Sequence, residues 1–137
     1  MIDYQFKLNF EVRDYECDLQ GNVNNAIYLH YLEHTRHEFL KQAGIDFVSL
    51  AKMGINLVVI RAEIDYIYSL WGGDRFTVGL NCERVSRMRF GFHQDIYRLP
   101  DNKLVVKAKT ISTSVNEAGK PDLPKGLGEL LDGLFPR

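Results

Sequence analysis

Asn25-Ala-Ile-Tyr-Leu-His-Tyr-Leu-Glu-His-Thr-Arg-His-Glu-Phe-Leu-Lys-Gln-Ala43 is the stretch that decides the architecture of this chain. At about 100° per residue, Tyr28, Leu32, Thr35 and Phe39 share one stripe, flanked by Leu29, Tyr31, Leu40 and Ala43. His30, His34, His37 and Lys41 fall on the opposite stripe, which reads as a solvated face rather than a set of metal ligands. Asn24 or Asn25 can cap the start, and Gly44 supplies the stop. This is the one long helix the sequence offers.

Outward from it, the pattern has a period of two. Phe6, Leu8, Phe10 and Val12 alternate with Lys7, Asn9, Glu11 and Arg13. Beyond Gly54, Asn56 to Ser69 is rich in Val, Ile and Tyr and is long enough to need a bulge. Trp71-Gly-Gly-Asp74 reads as a turn, and Phe76, Val78, Leu80 and Cys82 alternate after it. Phe90, Phe92, Gln94 and Ile96 carry the next strand, Pro100-Asp-Asn-Lys103 turns it back, and Leu104 to Val115 is the last. A short helix from about Pro124 to Leu134 is weakened by Gly126 and Gly128, at about 1 kcal/mol each.

The order is strand, long helix, then four strands joined by hairpin-length turns, and short turns imply antiparallel neighbours. The single helix is the only apolar partner large enough for one sheet face. An α+β fold follows, a five-stranded antiparallel sheet wrapped around one long central helix, as one domain over residues 1–137. Such an open sheet leaves edges, and edge-to-edge pairing of two copies is the simple way to cover them.

Composition excludes several classes. Hydrophobic content of 45% with 26% charge is that of a globular chain, and a net charge of −1 gives no electrostatic case for nucleic acid. Cys17 and Cys82 are too few for a disulfide framework, so both are expected as packing residues in a reducing compartment. The N-terminal Met-Ile-Asp-Tyr-Gln-Phe-Lys lacks basic and apolar signal regions, and no apolar run approaches the roughly 18 residues of a membrane span. A cytoplasmic protein is expected.

The candidate chemistry lies just before the long helix. Asp18 sits in a Gly-containing turn, Asp18 to Asn22, that feeds the helix start, where unpaired N–H groups and a partial positive charge are exposed. Carboxylate and amides together suit acyl transfer: Asp18 can attack a carbonyl carbon or deprotonate a water, and the amides can hold the oxyanion. Each such donor is worth about 2.7–4 kcal/mol, by analogy with measured oxyanion holes. Asp14, Glu16 and Asp18 alternate like calcium ligands. The positions an EF-hand reserves for Gly and Glu hold Leu19 and Asn25, so no calcium site is expected.

The segments Asp18-Leu-Gln-Gly21 and Val23-Asn-Asn25, with Tyr28, Tyr31, Glu33 and Arg36 on the helix, resemble the 4-hydroxybenzoyl-CoA thioesterase-like group of hotdog-fold acyl-CoA thioesterases. Gly54-Ile-Asn-Leu-Val-Val59, Asp65-Tyr66, Gly73-Asp74 and Ala108 continue the likeness, which covers residues 6–131. The resemblance implies a hotdog fold working as a homodimer or homotetramer. It implies hydrolysis of an acyl-CoA, or of an acyl carrier protein thioester, at subunit interfaces with no cofactor and no metal. It puts the catalytic carboxylate on Asp18 and the carbonyl-polarising amide near Asn25; Asn24, Asn25 and Tyr28 are candidate substrate contacts, with Asn24 and Asn25 equally suited as caps and Tyr28 equally suited as core. Arg84, Arg87 and Arg89 are candidates for the coenzyme A phosphates. Many relatives carry His where this chain has Asn22 or Asn25, a departure, since neither Asn can shuttle a proton. Two other functions share the fold: an acyl-thioester hydratase or dehydratase, and a non-catalytic acyl-CoA-binding module.

Overall fold

In the computed structural model, which describes residues 3–135, the alternating segments form strands β1 (Phe6–Glu11), β2 (Asn56–Tyr66), β3 (Arg75–Arg84), β4 (Arg89–Leu99) and β5 (Lys103–Val115). They make one five-stranded sheet in the order β1-β3-β4-β5-β2, every pair antiparallel. Register in β2 shifts between Val59 and Arg61, so the bulge its length implied is present.

One expectation fails. β2 and β3 follow each other closely in sequence but are not neighbours: β2 pairs with β5 at the edge opposite β1. The connection 67–74 crosses over instead of turning back. Fully extended it could reach roughly 26 Å, while three strand spacings take only about 14 Å. The amides of Ile67 and Tyr68 both donate to Val105 O as the crossover leaves the edge.

Helix α1 (Asn25–Gln42) lies in the curve of the sheet and buries the stripe read from the sequence, with Tyr31 and Leu40 beside it. Leu29, expected to flank that stripe, is 42% exposed. Asn24 is the cap, its side chain accepting from Ala26 N–H, and Gly44 stops the helix in the left-handed region at φ +92°. One core cluster joins Tyr28, Tyr31 and Leu32 to Phe76, Val78, Ile96 and Val106. A second joins Phe39 and Leu40 to Leu80, Phe90 and Phe92, and is closed by Leu127 and Leu131 of α3 (Lys125–Leu134). Helix α3 thus forms despite its glycines because burial of its leucines outweighs their propensity cost. A helix absent from the sequence reading, α2 (Phe47–Lys52), is capped by Asp46, whose carboxylate accepts from Val48 N–H and Ser49 N–H. Among the described residues no helix is long and apolar enough to cross a membrane.

Candidate active site

The connection from β1 to α1 is tied down at both ends. Residues Asp14–Glu16 make a single 3-10 turn, and Glu16 is buried at 8% exposure. A carboxylate there needs donors. Glu16 Oε1 accepts from Arg13 N–H at 2.8 Å and from the Tyr31 hydroxyl on α1 at 2.9 Å. Burial, then the Glu16 hydrogen bond, push the Tyr31 hydroxyl well above the usual tyrosine range. The turn is thereby clamped to the helix.

Asp18 follows on a turn folded back on itself. Its N–H donates to Asn22 O (2.9 Å), its carbonyl accepts from Gly21 N–H (3.0 Å), and Cys17 bridges Val23. Gly21 takes φ +92°, which only glycine adopts without strain. The carboxylate is exposed but oriented. Oδ1 accepts from Gln20 N–H at 2.9 Å; Asn22 Nδ2, with its amide oriented as its partners require, donates to Oδ1 at 2.8 Å and Oδ2 at 3.0 Å. Oδ2, with a single donor, is the oxygen less engaged. Asn22 stands where the resemblance led one to look for His, and it holds the carboxylate in place of moving a proton.

The start of α1 is near. Asn25 lies no more than about 11 Å of chain beyond Asn22. Ala26 N–H is taken by the Asn24 side chain and Ile27 N–H by the Asn24 carbonyl. Among the described residues no acceptor meets Asn25 N–H, as at any helix start, so this donor stays open. Asn24 therefore serves as the cap, while the exposed Asn25 offers its amide.

Tyr28 takes the core position that its place on the apolar stripe allowed. It is 2% exposed, its ring packs edge-on to Tyr31 and Tyr66, and its hydroxyl accepts from Leu70 N–H at 2.8 Å. The Tyr28 hydroxyl thus props the crossover. Leu70 O in turn accepts from Val23 N–H, Trp71 bridges Asn22, and Gly72 N–H donates to Gly21 O. The crossover therefore backs the Asp18 turn. Around that turn Leu19 and Tyr15 are almost fully exposed and Trp71 half so, an apolar surface that calls for cover.

The surroundings of Cys17 disfavour a thiolate. Burial, then the carboxylates of Asp14, Asp18, Glu16 and Asp74, push its thiol up, against the thiolate that reactivity needs. Cys82 is buried, its thiol pushed up to about 11 mainly by burial.

The arginines Arg84, Arg87 and Arg89 do not join Asp18 within one chain. Asp18 follows the Glu11 end of β1, which pairs with Arg75, whereas Arg84 and Arg89 close the other end of the β3–β4 hairpin. The length of β3 separates them, roughly 30 Å at strand rise. Arg84 is also engaged: it pairs with Asp132, donates to Ser86 O and Arg87 O, and lies over the Phe135 ring. Arg87 and Arg89 are exposed.

Two features escaped the sequence reading. The Glu16–Tyr31 clamp had one signal, a tyrosine beside the buried stripe whose hydroxyl must find a partner. The other is a groove of about 300 Å3 between α1, α2 and β2, lined by Arg36, His37, Phe47, Leu57 and Phe92 among others. Its signal was Gln94, a polar residue in the inward run of β4.

Comparison with known proteins places the chain in a family. The sequence pattern of the Thioesterase-like superfamily matches residues 12–131. Acyl-acyl carrier protein thioesterase ATL3, chloroplastic, of Arabidopsis thaliana is 34% identical over 115 residues, 84% of this chain and 60% of that protein. The chain thus spans only about 60% of that relative's length. A putative esterase of Aquifex aeolicus is 33% identical over 120 residues, 88% of this chain and 92% of that one. The crystal structure of Slr0204, a 1,4-dihydroxy-2-naphthoyl-CoA thioesterase from Synechocystis, superposes with a TM-score of 0.86 at 21% identity, covering 94% of this chain and 96% of that one, and has the same fold. With a matched pattern that runs from the end of β1 into α3, and a relative aligned over most of both lengths, the chain belongs to the thioesterase-like superfamily of hotdog-fold proteins.

Proposed function

We propose that this protein hydrolyses acyl thioesters of coenzyme A or acyl carrier protein, with Asp18 as the catalytic carboxylate and Asn25 N–H as the amide that polarises the carbonyl. One observation carries the reading: an exposed carboxylate, gripped on both oxygens by Asn22, shares a short connection with an amide that has no acceptor among the described residues. Oδ2 either attacks the carbonyl carbon, expelling the thiolate and leaving an anhydride that water cleaves, or takes the proton of an attacking water. Both routes pass through a tetrahedral oxyanion that the amide stabilises. A thiolate leaves readily, so no general acid is required of Asn22. The names of the Arabidopsis and Synechocystis relatives support the reaction class.

The site works between two copies of the chain. β2 has a free edge among the described residues, with Val59 and Ile60 half-exposed at its bulge. Antiparallel pairing of two such edges gives a dimer, and a second copy covers Leu19, Trp71 and the apolar surface beside Asp18. Arg87 and Arg89 then serve the nucleotide end of a coenzyme A held by the other subunit.

Asp18→Asn tests the assignment. It should abolish thiol release from a panel of acyl-CoAs, read with a thiol-trapping dye, while leaving the melting temperature and oligomeric state unchanged. Full activity in that variant removes the mechanism. In the wild type, a change in enoyl absorbance without thiol marks a hydratase, and binding with neither marks a carrier module.

A further inference from the structure

The groove between α1 and the β2 side of the sheet has an apolar wall, formed by Leu40, Phe47, Leu57, Phe90 and Phe92, and a guanidinium set into it. Arg36 is half-buried there, its Nη1 donating to Gln94 Oε1 at 3.0 Å. Gln94 is fully buried and donates its Nε2 to Leu32 O at 2.9 Å, which locks its amide and so aims the arginine. Of the five N–H groups of a guanidinium, Gln94 meets one. Among the described residues no carboxylate lies within ion-pair distance of Arg36. Glu33, one turn earlier, lines the same groove but is exposed and out of reach. Burial lowers the proton affinity of Arg36, and Glu33 offsets that only in part. A cation withdrawn from water in apolar surroundings calls for an anion, and a fixed planar fork suits a carboxylate.

Resting on the thioesterase reading above, we propose that Arg36 reads a carboxylate at the far end of the acyl group, making half-thioesters of dicarboxylic acids the preferred substrates. A volume of about 300 Å3 is roughly ten water volumes, which suits an acyl group of about nine heavy atoms such as adipoyl. The catalyst comes from the other subunit. Within one chain Arg36 lies 36 − 25 = 11 residues beyond Asn25, about 16 Å along the helix, too far for such a group to bridge. The Tyr66 end of β2 touches the start of α1, its hydroxyl donating to Asn25 O at 3.4 Å, whereas Leu57 to Val59 near the other end line the groove. Antiparallel pairing of two β2 edges turns one subunit's groove toward Asp18 of the partner subunit.

The test compares adipoyl-CoA with hexanoyl-CoA, equal in carbon count and differing in the terminal carboxylate. Wild type should favour adipoyl-CoA at least tenfold in kcat/KM, Arg36→Met should erase or invert that ratio, and Arg36→Lys should keep part of it. Equilibrium binding of both thioesters to the Asp18→Asn protein gives a readout without turnover, and the same preference is expected there. Equal or better use of hexanoyl-CoA by wild type, or a ratio that survives Arg36→Met, overturns the proposal. Where Arg36→Met does not fold, the wild-type ratio and Arg36→Lys decide. If wild type releases thiol from no member of the acyl-CoA panel, these two included, the hydrolase reading fails, and the binding preference alone still judges Arg36.

Discussion

Replacing Tyr28 by Phe separates a structural tyrosine from a substrate contact. The hydroxyl accepts the Leu70 N–H at 2.8 Å, and Leu70 is fully buried, so the variant leaves a backbone donor with neither protein partner nor water. An unsatisfied buried donor costs about 1–3 kcal/mol; the ring itself is conserved, so no large cavity term is added. Taking about 2 kcal/mol, and an unfolding entropy of about 2.1 cal/mol/K per residue over 137 residues, the melting temperature should fall by about 7 °C. The crossover also backs the Asp18 turn through Val23 and Gly72, so loosening it should lower kcat more than it raises KM. Thermal melts followed by circular dichroism and steady-state kinetics on one acyl-CoA supply both readouts. A Tyr28→Phe protein that melts within 1 °C of wild type (roughly 0.3 kcal/mol) but shows a much higher KM would refute the argument and restore Tyr28 as a ligand contact.

Asn22→Ala should lower kcat about tenfold with little change in melting temperature, since it removes donors to both oxygens of an exposed carboxylate, worth about 1.5 kcal/mol; unchanged kcat would mean Asp18 needs no holding. Stability should decline above about pH 10. Tyr4, whose hydroxyl donates to the buried Asp95, is pushed up by burial and then by that hydrogen bond. Its contribution is complete below the unfolded tyrosine value and is lost as pH rises toward the folded one. Tyr4→Phe should flatten that alkaline slope in melts at pH 9 to 11, and an identical slope would assign the decline elsewhere. The proposed β2 pairing predicts that Val59→Lys with Ile60→Lys shifts the protein to monomer in sedimentation velocity and removes activity; an unchanged dimer would place the interface on another surface.

The sequence carried the elements well because burial on one side writes a period. The α1 stripe from Tyr28 to Phe39 and the inward sets of β3 and β4 stand at the positions their spacing demanded. Periodicity says which face of a strand is buried and nothing about which strand lies beside it. That is why β2 was set next to β3: a link of hairpin length was taken for a hairpin, when it was long enough to cross the sheet. Helix α2 has less than two turns, too short for a stripe to register, and announced itself only by Asp46 as a cap.

The same limit governs the site. Asp18, Asn24 and Asn25 are local, and local chemistry was legible: a turn, a cap and a free amide within a few residues of one another. Relations across the sheet were not. Spacing could not say that Arg84, Arg87 and Arg89 stand the length of β3 away from Asp18, nor that the crossover engages the Tyr28 hydroxyl. What one chain leaves unfinished is informative in turn. An oxyanion amide gains its strength from the exclusion of water, yet Asp18 and Asn25 are exposed, beside an uncovered Leu19 and Trp71. The apolar groove that could shelter an acyl group lies more than two helical turns away on the same helix, at the opposite end of the edge strand that touches Asn25. The proposed catalytic pair and the apolar groove both belong to the chain but are separated along β2. A two-fold axis between two such strands, paired edge to edge, is the simple operation that brings them together, twice over.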